Sequence, residues 1–460
     1  MSIEGNPIAA PALQALPKDD HAEVDDTVLT VELKRSIPNR RSKKAKAGWL
    51  TGTFLLAGGI AGTQYQWASN HPIQVAEMSR DLVGEELTQK VEGYKLKVDD
   101  KKAQMKYKLF GAEENPFESS QVFVANIPTT IPTPEITPTP TSYGEPLIFM
   151  APELPELKPK PFTLPETRIL LAKAEAGEGS WSIDGLPTTA EDLIMAKTFI
   201  RPDAARPYAS VGIMVFDSRR VKLNMVGGKG RAEVGGGAGP GKVPNEELSN
   251  LLVVFNGGFQ ISHARENYSS SGRFVWGAYL DGNEYATLQP GMASAVVFKD
   301  GSIKIGAWGE GELTTRTEEM LAVRQNGALM IKDGEVTAAV MNEKDLFTWG
   351  KMAANSTDFI TWRSAIGVTK DGSLIVANAS PMSAYSLAKG LEAAGAEFAM
   401  QLDINSPWVQ TGVVTGHNAD GSPILGTFMN GMGGNGNKFL SPQERDLMYI
   451  TRDDDSRFVP

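Results

Sequence analysis

Five Asp-Gly pairs, each set between apolar runs of strand length, limit what this chain can fold into more than any other feature. They fall in LDGNEY, VFKDGSIKI, MIKDGEV, VTKDGSLIV and NADGSPI, with the aspartates at 281, 300, 333, 371 and 420. Asp-Gly supplies the positive φ angles of tight turns, so the pattern predicts several antiparallel hairpins. Helical patterns are few. Ser383 as N-cap, Leu387, Leu391 and Ala394 at helical spacing, and Gly395 just beyond them predict one helix leading into a strand at 398–402. A second helix is expected over 189–199. Strands in runs with scattered helices predict an α+β fold, a mixed and largely antiparallel sheet with a few helices, in place of a doubly wound parallel one.

Composition narrows the chemistry. The 460 residues contain no cysteine, which removes disulfides, thiolate metal sites and cysteine nucleophiles. Only four histidines occur, at 21, 71, 263 and 417, and none has metal-ligand spacing. No pattern requires a cofactor. A carboxylate-bound divalent cation such as calcium or magnesium stays open, and no metal ligands can be assigned. A net charge of -10 argues against nucleic acid as a partner.

The chain divides by composition. Residues 1–47 mix charges without a sustained apolar period and read as a flexible cytoplasmic tail. Residues 48–67 carry no charge, and about 20 residues at 1.5 Å each span about 30 Å of hydrocarbon, so a single transmembrane signal-anchor helix is expected. Arg40, Arg41, Lys43, Lys44 and Lys46 precede it and the next basic residue is Arg80, which places the N-terminus in the cytoplasm and the C-terminal domain outside. The alternative is a cleaved signal peptide; the long charged tail and the lack of a clear cleavage site favour the anchor. Residues 68–127 read as a juxtamembrane segment, with a short helix and a strand expected in its charged part, 73–110. Eleven prolines between 128 and 165 predict an extended Pro/Thr-rich linker. Residues 166–460 are long enough for one sizeable core.

Within that domain several segments invite a chemical reading. Gly236 to Val243 nearly spells a phosphate-binding loop, but Val243 stands where a hydroxyl is needed and Pro244 follows, so a glycine-rich surface loop is expected. In LLVVFNGGF a buried-type strand ends in Asn256, Gly257 and Gly258, which could turn with positive φ and aim amides at an anion, or simply turn. Arg363 in WRSAIG stands at a strand start, where a guanidinium can hold phosphate or carboxylate or form a salt bridge. Asp403 ends the strand of EFAMQLDINSPW, followed by Asn405 and the ring of Trp408. It could serve catalysis or cap its own turn. His263 could complete an acid–base pair or be a loop residue. The Asn267, Asn355 and Asn378 sequons carry no weight.

Taken in order, PGKVP, FNGGF, the MASAVVFKDGSIKIGAWG hairpin, VRQNGALMIKDG, WRSAIGVTKDGSLIVA and the helix into MQLDIN resemble the phosphodiester glycosidase family over roughly residues 209–451. The resemblance implies a mixed α+β fold and an active site at Asn256, Gly257, Gly258, Arg363 and Asp403, with Asp403, Arg363 and Asn256 expected as catalytic residues and Gly257 and Gly258 beside the substrate. Asn405 and Trp408, which follow Asp403 in this sequence, are added as substrate-binding candidates. One departure is plain. The family's Leu-Asp-Gly-Gly-Gly-Ser reads Leu402, Asp403, Ile404, Asn405, Ser406 and Pro407 here.

These readings combine into a membrane-anchored extracytoplasmic hydrolase that cleaves a sugar-1-phosphodiester or related envelope glycan linkage. Its partners would be that carbohydrate and, through one N-terminal helix, the membrane. The alternative is a non-catalytic module binding an anionic cell-envelope polysaccharide, which the altered loop after Asp403 motivates.

Overall fold

The computed structural model describes residues 85–111, 115–117, 161–229, 239–259, 277–280, 282–342, 360–406 and 408–453. The expected cytoplasmic tail and anchor, most of the linker, His263, Asn267 and Asn355 lie outside them. No helix among the described residues is long and apolar enough to cross a membrane.

Three sheets build the domain, and all their strand pairings are antiparallel. The main sheet contains β1 (Met195–Ile200), β2 (Val211–Phe216), β10 (Leu329–Lys332), β11 (Glu335–Val336), β12 (Thr361–Thr369), β13 (Leu374–Met382) and β14 (Ala396–Ile404). Its order is β1-β2-β13-β12-β14-β10-β11. The second contains β3 (Val221–Val226), β4 (Leu251–Asn256), β15 (Thr411–His417), β16 (Pro423–Thr427) and β17 (Leu447–Arg452), ordered β16-β15-β4-β17-β3. The third contains β5 (Ala278–Leu280), β6 (Asn283–Ala286), β7 (Ala293–Phe298), β8 (Ile303–Ala307) and β9 (Met320–Gln325), ordered β6-β5-β9-β7-β8. Helices are α1 (Glu85–Phe110), α2 (Ala338–Asn342) and α3 (Ala384–Ala393). The architecture is α+β and largely β.

Four of the five Asp-Gly pairs sit in described hairpins, by two different mechanisms, while Asp281 lies outside the described residues. Asp333 and Gly334 both take positive φ (53° and 78°), which is the two-residue turn expected of the pair. At 301, 372 and 421 only the glycine does, with φ of 76°, 85° and 83°. Each of these glycines donates its N–H three residues back, to Phe298, Thr369 and Asn418. The aspartate acts as an acceptor instead: Asp300 and Asp420 take the N–H groups of Ser302 and Ser422 at 2.8 and 2.9 Å. A side-chain bond of this kind stabilises the turn without forcing an L-residue into the left-handed region.

The helix expected after Ser383 forms as α3. Ser383 Oγ accepts the Ser386 N–H at 3.0 Å, and Gly395 closes the end at φ 81°. The helix expected over 189–199 does not form. Residues from Met195 onward are β1, paired with β2 from Met195↔Phe216 to Ile200↔Val211. Tertiary pairing with an apolar neighbour strand overrides a short local helical pattern. In the juxtamembrane stretch the expected short helix is the 26-residue α1, whose seven lysines, three glutamates, three leucines and two glutamines favour helix, and no strand occurs among the described residues there. Its Asp100 accepts from Arg206 Nε at 3.1 Å and Tyr208 Oη at 2.6 Å. Phe117 is buried between Phe199 and Phe428, and Pro116 O accepts the Asn430 N–H at 2.8 Å. The last residues of the linker rest on the domain too, since Trp181 Nε1 donates to Pro165 O at 2.7 Å.

One apolar core joins the three sheets, with Phe216, Ile366, Val376, Met400 and Leu402 meeting Val253, Phe255 and Met448 of the second sheet and Ala295 and Ile305 of the third. The opposite face of the main sheet is covered by α3, through Leu387, Ala388 and Leu391 over Ala365, Ala377, Ala379 and Ala399. The central strand β12 is therefore buried along its whole length. Polar side chains on it must find partners inside the protein.

Candidate active site

Strand β4 delivers Asn256 to the end of the second sheet, where it is 4% exposed. Its backbone N–H donates to Gln410 O and its Oδ1 accepts the Gln410 N–H, both at 3.2 Å. Its Nδ2 donates to Gly257 O at 3.0 Å and to Ser364 Oγ of β12 at 2.8 Å. Ser364 Oγ in turn donates to Asp403 O at 2.7 Å. A relay of side chains therefore connects three strand ends from two sheets.

Asp403 lies at the end of β14 and gives its N–H to Gly257 O at 3.0 Å. Its Oδ1 accepts the Ile404 N–H at 2.9 Å and its Oδ2 accepts from Arg445 Nη1 at 2.7 Å. Burial pushes this carboxyl above its ordinary value of 3.8, helped by Asp446 and opposed by Arg445, the Ile404 N–H and Lys438. The Arg445 guanidinium carbon is 3.6 Å from the centre of the Trp408 ring, a stacked cation. Trp408 itself is buried, and Lys438 Nζ lies 5.9 Å from the same ring.

The two glycines are needed for room, since neither takes positive φ. A Cβ at Gly257 would lie 2.1 Å from Asp446 Oδ2, and one at Gly258 would lie 2.9 Å from Arg324 Cζ. Nor do their amides stand open to an anion. Gly257 N–H donates to Asp446 O at 3.1 Å, and Gly258 N–H donates to Asp446 Oδ2 at 3.2 Å. The aspartate fills the place that sequence alone left to a ligand. Arg324, 1% exposed, holds the same carboxylate through Nε at 2.8 Å and Nη2 at 3.3 Å. It also donates to Gln325 O at 2.7 Å and Phe259 O at 2.5 Å.

The other sequence candidates fall apart from this group or support it from behind. Arg363 and Ser364 are consecutive, so their side chains leave β12 on opposite faces. Arg363 turns to the helix-covered side, donating through Nε to Met382 O at 3.0 Å and through Nη1 to Gln401 Oε1 at 2.6 Å. Asn405 takes φ 70°, accepts from Thr361 Oγ1 at 2.6 Å and donates its N–H to Trp362 O at 2.8 Å. Its carbonyl accepts the Trp408 N–H at 2.8 Å, which sets the loop that carries the ring.

In the near-phosphate-loop segment, Val243 is fully buried and Lys242 Nζ donates to Asn245 Oδ1 at 2.7 Å, so its described part is a packing loop. Asn378 is fully buried. Among the described residues no group of three or more His, Asp or Glu side chains is placed to hold a metal ion.

Arg445, Asp446, Arg324 and Ser364 were not singled out from sequence. The available signal was an Arg-Asp pair immediately before the apolar run LMYI that opens β17, where isolated charges are costly unless paired. No family model matches the chain, and no curated protein matches it. Three solved structures are distantly similar. The zebrafish N-acetylglucosamine-1-phosphodiester alpha-N-acetylglucosaminidase catalytic domain, auto-inhibited by its pro-peptide, is 16% identical, covering 58% of this chain and 86% of that one, with a TM-score of 0.36. A hypothetical protein from Synechocystis is 10% identical, covering 56% and 62%, with a TM-score of 0.28. A candidate exported protein from Burkholderia pseudomallei is 12% identical, covering 53% and 74%, with a TM-score of 0.24.

Proposed function

We propose that the domain is a hydrolase acting at the anomeric carbon of a sugar-1-phosphodiester or related envelope glycan linkage, held outside the membrane by residues 48–67 and the proline-rich spacer. The observation that carries this reading is the seating of Asp403: a buried carboxyl paired with Arg445, which is stacked on Trp408, with its backbone tied to the Asn256–Gly258 turn. A carboxyl held so rigidly at a strand end can stabilise charge at the reacting carbon or move a proton there, because no reorganisation is needed at the moment of reaction. Arg445 and Lys438 supply the positive charge beside it. Asn256, through Ser364, and Arg363, through Gln401, hold the strand ends on which the site is built, while Gly257 and Gly258 allow the close approach. Trp408 and Asn405 shape the loop on the substrate side. No cofactor is required in this reading.

The purified full chain is expected to release free sugar from a sugar-1-phosphodiester or a glycan substrate. Asp403→Asn should lower the turnover number at least ~100-fold, the scale of removing one preorganised catalytic group. Equal turnover by the variant would reject the assignment.

The binding-module reading has its own support. The turn amides are bonded to Asp446, and Ile404, Asn405 and Ser406 replace the family's glycines. Retention of an anionic polysaccharide without product, undiminished by Asp403→Asn, would establish that reading instead.

A further inference from the structure

Two carboxylates bracket one turn. Gly257 accepts the Asp403 N–H on its carbonyl at 3.0 Å and gives its own N–H to Asp446 O at 3.1 Å. Arg445, the residue before Asp446, bonds the Asp403 carboxylate at 2.7 Å. The two acids are held in contrasting ways. Asp446 accepts on both oxygens, from Gly258 N–H and Arg324 Nε on Oδ2 and from Arg324 Nη2 on Oδ1, and its side chain is 14% exposed. Asp403 takes one guanidinium N–H and one amide, with its side chain 7% exposed.

We propose that Asp446 is a second catalytic carboxylate, and that the bond cleaved is a glycosidic C–O bond with an alkoxide leaving group, in preference to a sugar phosphodiester. The proposal rests on the hydrolase reading and narrows its substrate. A phosphate leaving group is best served by amides that gather its growing charge, and the two amides of this turn are already bonded to Asp446. An alkoxide is a poor leaving group and needs a proton donor, with a second carboxylate for the incoming oxygen. Environments that set two carboxyl groups apart are how one site supplies acid and base. Burial favours the protonated form of Asp403, against the pull of Arg445 and Lys438 and with the push of Asp446, which suits it to donate.

The step balances with water alone. The bond from C1 to the leaving oxygen breaks as the Asp403 proton passes to that oxygen. A water oxygen bonds to C1 and gives one proton to Asp446. Transfer of that proton through solvent back to Asp403 restores the pair, and nothing is oxidised or reduced.

The test uses the full chain with dinitrophenyl and methylumbelliferyl glycosides of glucose, N-acetylglucosamine, galactose and mannose, beside the corresponding sugar-1-phosphodiesters. Asp403→Asn should lose at least ~100-fold on methylumbelliferyl glycosides and stay within ~10-fold of the parent on dinitrophenyl glycosides, which leave without a proton. Asp446→Asn should lose at least ~100-fold on both, with azide restoring turnover and yielding a glycosyl azide. Should Asp446→Asn fail to fold, the leaving-group dependence of Asp403→Asn, which leaves Arg324 and Asp446 in place, still decides. Equal losses by Asp403→Asn on both leaving groups, or near-parent rates in folded Asp446→Asn, would overturn the proposal. Cleavage of phosphodiesters alone would overturn it while leaving the hydrolase reading intact, whereas no cleavage of any substrate would overturn both.

Discussion

The two faces of the main sheet are equally dry and differently built. Under α3 the sheet presents Ala365, Ala377, Ala379 and Ala399 beside Val211, Ile213 and Ile375, and the helix answers with Leu387, Ala388, Gly390 and Leu391. Toward the other sheets it presents Phe216, Ile366, Val376, Met400 and Leu402. Small residues let a helix lie close, while packed sheets about 10 Å apart need larger side chains between them. At one end of the strands both faces become polar, again unequally. The helix side holds Arg363 and Gln401, and the inner side holds Ser364, Asn256 and Asp403 with its Arg445 partner. The helix side pairs its guanidinium with Gln401 and the Met382 carbonyl, and the inner side sets a carboxylate and its guanidinium partner beside the Asn256 turn.

The largest expected effect compares the two buried arginine–carboxylate pairs beside the turn. Arg324→Met leaves Asp446 without its guanidinium and should cost about 3–5 kcal/mol, read from the urea unfolding midpoint. Arg445→Met should cost clearly less, because Arg324 also holds the buried carbonyls of Gln325 and Phe259, and the Asp403 carboxyl, already pushed up by burial, can take a proton once Arg445 is gone. Equal losses would erase the distinction between the two arginines.

Activity should divide the faces next. Arg445→Ala is expected to lower the turnover number by about 100-fold, as removal of one preorganised charge does. If its turnover stays near that of the parent, the positive charge that matters lies elsewhere.

A third prediction probes the close helix contact. A Cβ at Gly390 would lie 2.7 Å from Val211 Cγ2. Gly390→Ala should therefore destabilise by about 1–3 kcal/mol despite the gain in helix propensity of about 1 kcal/mol. A stabilised variant would mean that α3 is free to lift off the sheet. Ser383→Ala, which removes the N-cap, should cost about 1 kcal/mol in the same measurement.

The smallest effect is a pH dependence. Asp403 titrates above 3.8 in the folded protein, so between 3.8 and its folded value the native state holds more protons than the unfolded one. Its contribution to stability is full below 3.8 and is lost as pH rises through the folded value. Asp403→Asn removes that loss, so its melting temperature relative to the parent should be higher at pH 7 than at pH 4. A difference that does not change with pH would show that burial does not dominate at this carboxyl.

Much of the scaffold was readable in advance. The hairpins at 301, 334, 372 and 421 and the cap at Ser383 depend on residues within a few positions of one another, so local propensity and tertiary structure agree there. Residues 189–199 show the limit, since a short helical pattern yielded to β2. In the candidate site, the proximity of the Asn-Gly-Gly turn to Asp403 was anticipated by the family resemblance. The direction of Arg363 was not, nor was the filling of the turn by Asp446, because both depend on partners far away in sequence. Gly258 and Asp446 are 188 residues apart, and Asp403 and Arg445 are 42 apart.

Strand identity, turn chemistry and helix capping were thus written in the residues themselves, because steric limits on φ and short-range hydrogen bonds decide them. Where the strand ends aim their side chains was decided only by the assembled sheets. Between β12 and β14, Arg363 pairs with Ile404 and Ala365 with Gln401, so three steps on one strand oppose two on the other. That bulge re-aims Asp403 toward the Asn256 turn, and an extra residue in a ladder exists only once two strands have met.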